Sequence, residues 1–227
     1  MLVCIVAMAA AFVLTYFFKE RIFAFLMEPF VKVMPAKSSF IFIGVTEAFI
    51  TYFKISIVAA ILLSSPVILH QIWMFVAPGL YEKEKRYLFP FMFFGSLLFI
   101  SGALFCYFVV MPTLYGFFVS YAADFIIPMP DLKSYMSLTL KLLVIFGLMF
   151  QIPLAAFYLA RAGIINGHLL ASKRRYAVLG VFIVSAIITP PEIMSQVLLA
   201  LPLWGLYEVC IIIARIFGKK VESHEEA

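Results

Sequence analysis

The side chains of this sequence that could do chemistry are few, and most stand where charge is costly. Lys54, Lys141 and Glu208 each interrupt a long apolar stretch, and Gln151 adds a neutral amide ten residues after Lys141. An ionisable group at membrane depth costs roughly 2.5–3.5 kcal/mol on insertion scales, so each is a functional candidate by default. The competing reading is that the lysines carry their ammonium groups outward along four-carbon stems. Lys54 precedes Pro66, and Lys141 precedes Pro153, by the same interval of twelve residues, a faint internal repeat. That pattern would suit a secondary transporter of a small solute or ion. Glu208 is expected to pair with Arg215 or to hold a proton. The densest charge is in residues 77–90, "APGLYEKEKRYLFP", where Glu82, Lys83, Glu84, Lys85 and Arg86 follow one another between apolar stretches. Glu82 precedes Arg86 by four residues, the favourable order for an intrahelical pair. By charge alone this segment is a slightly positive solvated elbow.

Other chemistry is excluded by what the sequence lacks. It contains no HExxH, no GxSxG within an apolar stretch, no phosphate-cradling glycine loop and no paired intramembrane Asp, so no enzyme is expected. Cys4, Cys106 and Cys210 are odd in number and each lies in an apolar run, which suits buried, inert thiols. His70, His168 and His224 are scattered. Neither a metal nor a cofactor is expected.

These groups need elements to hold them, and composition says which. Of 227 residues, 65% are hydrophobic and only 13% charged, more apolar side chain than one water-surrounded core could hide. A bilayer core of about 30 Å takes about 20 apolar residues per helix, whereas a barrel would alternate in polarity. The stretches here are apolar throughout, so the fold class is all-α, a polytopic membrane protein. Six spans are predicted, over residues 1–18, 48–73, 87–110, 136–159, 176–189 and 197–214, the last two short. Residues 113–127, following Met111-Pro112, read as an aromatic segment lying in the outer interface. With six spans one side collects ten cations, Lys83, Lys85, Arg86, Arg161, Lys173, Arg174, Arg175, Arg215, Lys219 and Lys220. The other collects five, Lys19, Arg21, Lys32, Lys37 and Lys133. The ten-charge side is then cytoplasmic, with both termini. The net charge of +5 reads as topology, and nucleic-acid binding is not expected.

Three ordered segments resemble one family. "SSPVILHQIWMFVAPGLYEKEKRYLFP", "FGLMFQIPL" and "SAIITPPEIMSQVLLALPLWGLYE" are similar, in order and spacing, to TatC, the polytopic core of the twin-arginine protein translocase. "LMEPF" around Pro29 and "VTEAFITYFKIS" around Glu47 agree as outer-loop structural elements. The resemblance covers nearly the whole chain as a single membrane domain, residues 1–227. It implies a receptor and scaffold in a bacterial inner membrane that binds Arg-pair signal peptides. It also implies assembly with TatA-type and TatB-type single-span subunits into a multimeric complex, and export of folded proteins by the proton-motive force. In the family the first cytoplasmic loop contributes to signal recognition, a pattern matched here by Phe75, Pro78, Leu80, Glu84 and Arg86. Carboxylates suit paired guanidiniums through forked hydrogen bonds, and Phe75 would add a cation-π surface. Thr189 and Gln196 match polar positions where partner helices dock. Two departures stand out. Gln151 occupies a fourth-span position where the family often has Glu, and an amide carries neither charge nor proton. The family's N-terminal amphipathic segment, of the type "HLxELRxRL", has no counterpart, so the natural chain is expected to begin further upstream.

Overall fold

Peptide groups inside a bilayer have no water to bond, so each must find its partner within the chain. Accordingly nearly every described residue is helical, and the pairing outside helices is a single parallel bridge between Ile41 and Asp131. The computed structural model describes residues 2–35, 39–41, 43–76, 88–120, 129–189 and 192–218, with backbone alone at Trp73, Phe75, Val76 and residues 88–92. The chain divides into two compact units, Met1–Gly147 and Leu148–Ala227.

In the first unit, α1 (Leu2–Phe17) packs along α3 (Glu47–Val76). Thr15 fastens the pair by donating to the Ser56 carbonyl at 2.9 Å. At Phe18 the chain bends by 78° into α2 (Lys19–Val31). The bend coincides with Lys19, Glu20 and Arg21, the charges that follow the first apolar stretch. Leu26, Pro29 and Phe30 of α2 are buried. The third long stretch is α4 (Leu88–Phe105), a π turn over Cys106–Val110 and α5 (Met111–Ser120). The last helix of this unit is α6 (Leu132–Met149).

The second unit holds α7 (Ile152–Arg161), the short α8 (Gly167–Ser172), α9 (Arg174–Ile188) and α10 (Ile193–Phe217). Gly163, at φ +80°, supplies the left-handed residue that closes α7, and the amide of Ile164 returns to the Leu159 carbonyl at 2.9 Å. Asn166 then caps α8 by accepting from Leu169 N–H at 2.7 Å.

Two expectations are corrected. Pro112 does not end the third span; the helix runs on to Ser120, so residues 113–120 are helical and no separate interfacial segment begins there. A proline has no N–H and its ring crowds the carbonyl four residues back. The π turn just before it widens the ladder, with the Met111 amide bonded to the Cys106 carbonyl five residues earlier, and the chain passes through. Nor are the last two spans both short. α10 has 25 residues, about 37 Å at 1.5 Å per residue, because Pro202 sits inside it without breaking it. α9 is the short one, 15 residues or about 22 Å. Among the described residues four helical stretches are long and apolar enough to span a membrane, and a fifth if the bent pair α1 and α2 counts as one.

Candidate functional site

Phe75, the first of the residues expected to read the signal, lies on α3. α3 has 30 residues, about 45 Å, against a hydrocarbon thickness of about 30 Å. Its apolar span ends at Ile72, so Phe75 stands in a last turn beyond that span. Pro78, Leu80, Glu84 and Arg86 lie outside the described residues. The helix reaches that far although Pro66 interrupts its ladder. Pro66 can offer no N–H to the Leu62 carbonyl, and Ser65 Oγ donates to that carbonyl instead, at 2.8 Å. Ser64 Oγ donates to Ala60 O at 2.6 Å. The "SSP" triplet is therefore a proline with its repair built in.

Pro29 is repaired across helices. Its missing N–H leaves the Phe25 carbonyl of α2 without a helical donor, and Tyr107 Oη donates there at 2.7 Å. Tyr135 Oη donates to the adjoining Leu26 carbonyl at 2.8 Å. Phe25 stacks on Tyr107 at 4.3 Å between ring centroids, and Phe30 meets Tyr115 at 5.2 Å and Tyr135 at 5.0 Å. Tyr115 and Thr139 hydroxyls share a 2.6 Å hydrogen bond. Together these contacts lock α2 onto α5 and α6. Glu47 closes the approach to α3: its Oε2 accepts from the Ile43 and Gly44 amides at 2.8 and 3.1 Å.

The second unit carries the remaining polar positions. Gln151 sits at the break before α7, where Pro153 forces a new helix start. Its side chain does not cap α7; its carbonyl accepts from Ala155 N–H at 2.9 Å. Gln196 Nε2 donates to the Phe182 carbonyl at 2.9 Å, joining α10 to α9. Thr189 is buried and donates to Ser185 O at 2.8 Å, within its own helix end. Both polar groups therefore have partners inside the hairpin. Glu208 pairs with Arg174 at 2.7 Å, a correction to its expected pairing with Arg215. Arg215 lies two turns along the same helix, whereas Arg174 of α9 meets Glu208 of α10 across the hairpin, as Phe182 meets Gln196. Antiparallel register was the signal that would have found the partner. Arg215 instead packs against Gly167 of α8, where an added Cβ would stand 3.1 Å from the Arg215 Cα, and Tyr207 Oη donates to Leu170 O at 2.7 Å. These contacts hold α8 against α10.

Of the groups suggesting solute transport, Lys54 and Lys141 belong to the first unit and Gln151 and Glu208 to the second. Lys54 and Lys141 are both exposed, and Lys54 Nζ is 3.4 Å from Ser137 Oγ. A groove of about 190 Å³ in the first unit is lined by apolar residues including Ile22, Phe25, Ile55, Leu62, Ile100 and Leu143, and offers a polar solute no partner. Cys106 and Cys210 are buried and Cys4 is half-buried, all three as free thiols. Among the described residues no cluster of three metal-ligating side chains occurs.

Comparison with known proteins bears on the whole chain. The family model described as "Sec-independent protein translocase protein (TatC)" matches residues 1–202. A protein of that name from Desulforapulum autotrophicum is 42% identical over 221 residues, 97% of this chain and 82% of its own length. The Escherichia coli protein of the same name is 36% identical over 223 residues, 98% of this chain and 86% of its own. A crystal structure described as the twin arginine translocase receptor TatC superposes with a TM-score of 0.86 at 35% identity, covering 95% of each chain. A second, in DDM, gives 0.84 and covers 94% of this chain and 95% of that one.

Proposed function

This chain belongs to the TatC family of Sec-independent protein translocase proteins, and from that premise we propose that it is the subunit that reads Arg-pair signal peptides. It is a multi-pass membrane component of the protein translocase, and the bacterial inner membrane fits that assignment. The reading is carried by one observation above the rest: the family match runs over residues 1–202, through every segment that the recognition reading uses.

In this reading the loop after α3 is cytoplasmic and Glu84 accepts forked hydrogen bonds from the signal's guanidiniums. At an interface such pairs are screened less than in bulk water. Phe75, Pro78 and Leu80 form the apolar flank, Arg86 is held by Glu82, and the lysines keep the loop in the cytoplasm. The α9–α10 hairpin, carrying Thr189 and Gln196, receives single-span partners of the TatA and TatB type, with Gln151 as a neutral polar group at the α7 start. Pro29 and Glu47 serve the outer structure. The role is reception and scaffolding of a multimeric complex; the proton-motive force drives transfer of folded substrates. Export of a folded reporter bearing an Arg-pair signal tests this. Glu84→Ala and Glu84→Lys should abolish export while membrane insertion persists; full export by a stably inserted Glu84→Ala protein would overturn it.

A further inference from the structure

Two cations of the first unit are left without a role by these contacts. Lys54 and Lys141 are exposed, although each lies within a stretch long and apolar enough to span a membrane. A charge at that depth ordinarily pairs with another charge or faces a bundle interior. Among the described residues neither lysine has a carboxylate; the ion pairs there are Glu28–Lys32 and Arg174–Glu208. The acids at the starts of α3 and α6 are engaged elsewhere, Glu47 with the Ile43 and Gly44 amides and Asp131 with the Ser134 hydroxyl and amide.

The fold brings the two lysines to one place. Ile41 N–H bonds Pro130 O and Leu132 N–H bonds Ile41 O, both at 3.2 Å, so α3 and α6 start side by side. Lys54 stands about two turns into α3 and Lys141 about two and a half turns into α6. Lys54 Nζ donates to Ser137 Oγ of α6 at 3.4 Å, and Lys141 follows Ser137 by four residues, the spacing of neighbours on one helix face. Helical Cα–Cβ bonds tilt toward the N-terminus, so both four-carbon stems lead back toward the surface where these helices begin. The same two helices wall the apolar groove. Ile55 beside Lys54, Val58 one turn after it, and Leu140 beside Lys141 all line it.

An occupant that answers both features carries negative charge at one end and hydrocarbon at the other. A free anion does not enter hydrocarbon, and an uncharged chain in the groove leaves two ammonium groups unanswered. An anionic phospholipid meets both demands, the bilayer supplies it around the helices, and basic pockets between membrane helices take such headgroups. We propose that Lys54, Lys141 and Ser137 hold the phosphate of an anionic phospholipid, with an acyl chain lying in the adjoining groove. The Ser137 hydroxyl accepts from Lys54 and keeps its own proton to donate to a phosphate oxygen. The matched placement of the two lysines ahead of Pro66 and Pro153 then serves one lipid, not a transported solute.

Native mass spectrometry of the full chain in detergent, with phosphatidylglycerol or phosphatidylcholine of the same acyl chains added, reads the preference. The wild type should retain phosphatidylglycerol roughly thirtyfold better, about fivefold for each lysine. Lys54→Gln and Lys141→Gln should each lose about fivefold and the double variant nearly all of it, whereas Arg at both positions should keep it. Lys133→Gln, which removes an exposed cation from the first turn of α6, should change it little. Ala59→Phe, which fills the groove, should weaken retention of both lipids. In the wild type alone, phosphatidylglycerol with a photoreactive acyl chain should label groove residues such as Ile55 and Leu140. Equal retention of the two lipids by the wild type would overturn the proposal and leave the lysines to a carboxylate on a partner helix. A preference unchanged in the double variant, a loss as large in Lys133→Gln, or labelling confined to residues outside the groove would overturn it too. The wild-type comparison and the labelling decide alone if the variants do not fold.

Discussion

At the scale of single residues, the prolines are informative because each deletes one donor from a helix that cannot borrow water. Tyr107 replaces the donor lost at Pro29, and Ser65 replaces the one lost at Pro66. Leaving a buried acceptor unpaired costs about 1–3 kcal/mol, so Tyr107→Phe should destabilise the protein by that order. Pro29→Ala restores an N–H for the Phe25 carbonyl, so in that background Tyr107→Phe should cost clearly less. Thermal unfolding of the four proteins of this cycle in detergent measures the difference, and a zero coupling would contradict the account. The ion pair Arg174–Glu208 is a different case. With side chains 48% and 28% exposed it should contribute no more than about 1 kcal/mol, so Glu208→Gln should leave stability nearly unchanged in the same assay. The prolines themselves, and Ser65 beside Pro66, were plain in the sequence; the donor that repairs Pro29 was not, since Tyr107 stands far from Pro29 along the chain.

At the scale of elements, close helix packing sets the limits. An added Cβ at Gly147 of α6 would come within 2.9 Å of the Phe99 ring of α4, so the glycine of "FGLMFQIPL" has a packing reason. Overpacking typically costs about 1–3 kcal/mol, and Gly147→Ala should lower the unfolding midpoint accordingly. Phe99→Leu, which withdraws the ring, should recover part of that loss in the double variant. Apolar length made the helical class and most long stretches legible, because it follows directly from bilayer thickness. Places where backbone geometry decides were harder to read. The π turn that carries the third span past Pro112 leaves no sequence signal beyond the proline itself. The 78° bend at Phe18 falls immediately before Lys19, a charge signal that marked the end of a span but not the helix beyond it.

At the scale of the whole molecule, the helices account for a receptor better than for a carrier. The charged candidates within the spans are exposed or paired, and the apolar groove has nothing to coordinate a solute. The candidate recognition site was legible only through the family resemblance, because three cations against two acids in residues 82–86 describe an ordinary solvated loop. Hairpin register tells how α9 and α10 meet, but a partner helix leaves no mark in one chain's sequence. Proteoliposomes containing this chain alone should therefore show no solute flux, and substrate-dependent flux would favour the carrier reading. The central claim is that Glu84 reads the arginine pair. A photoreactive side chain introduced beside it, at residue 83, should crosslink a labelled Arg-pair signal peptide in native membranes. Crosslinking should be lost when the peptide's arginines are replaced by lysines or when Glu84 is replaced by Ala. Equal crosslinking to the Arg-pair and Lys-pair peptides, or crosslinking unaffected by Glu84→Ala, would contradict it.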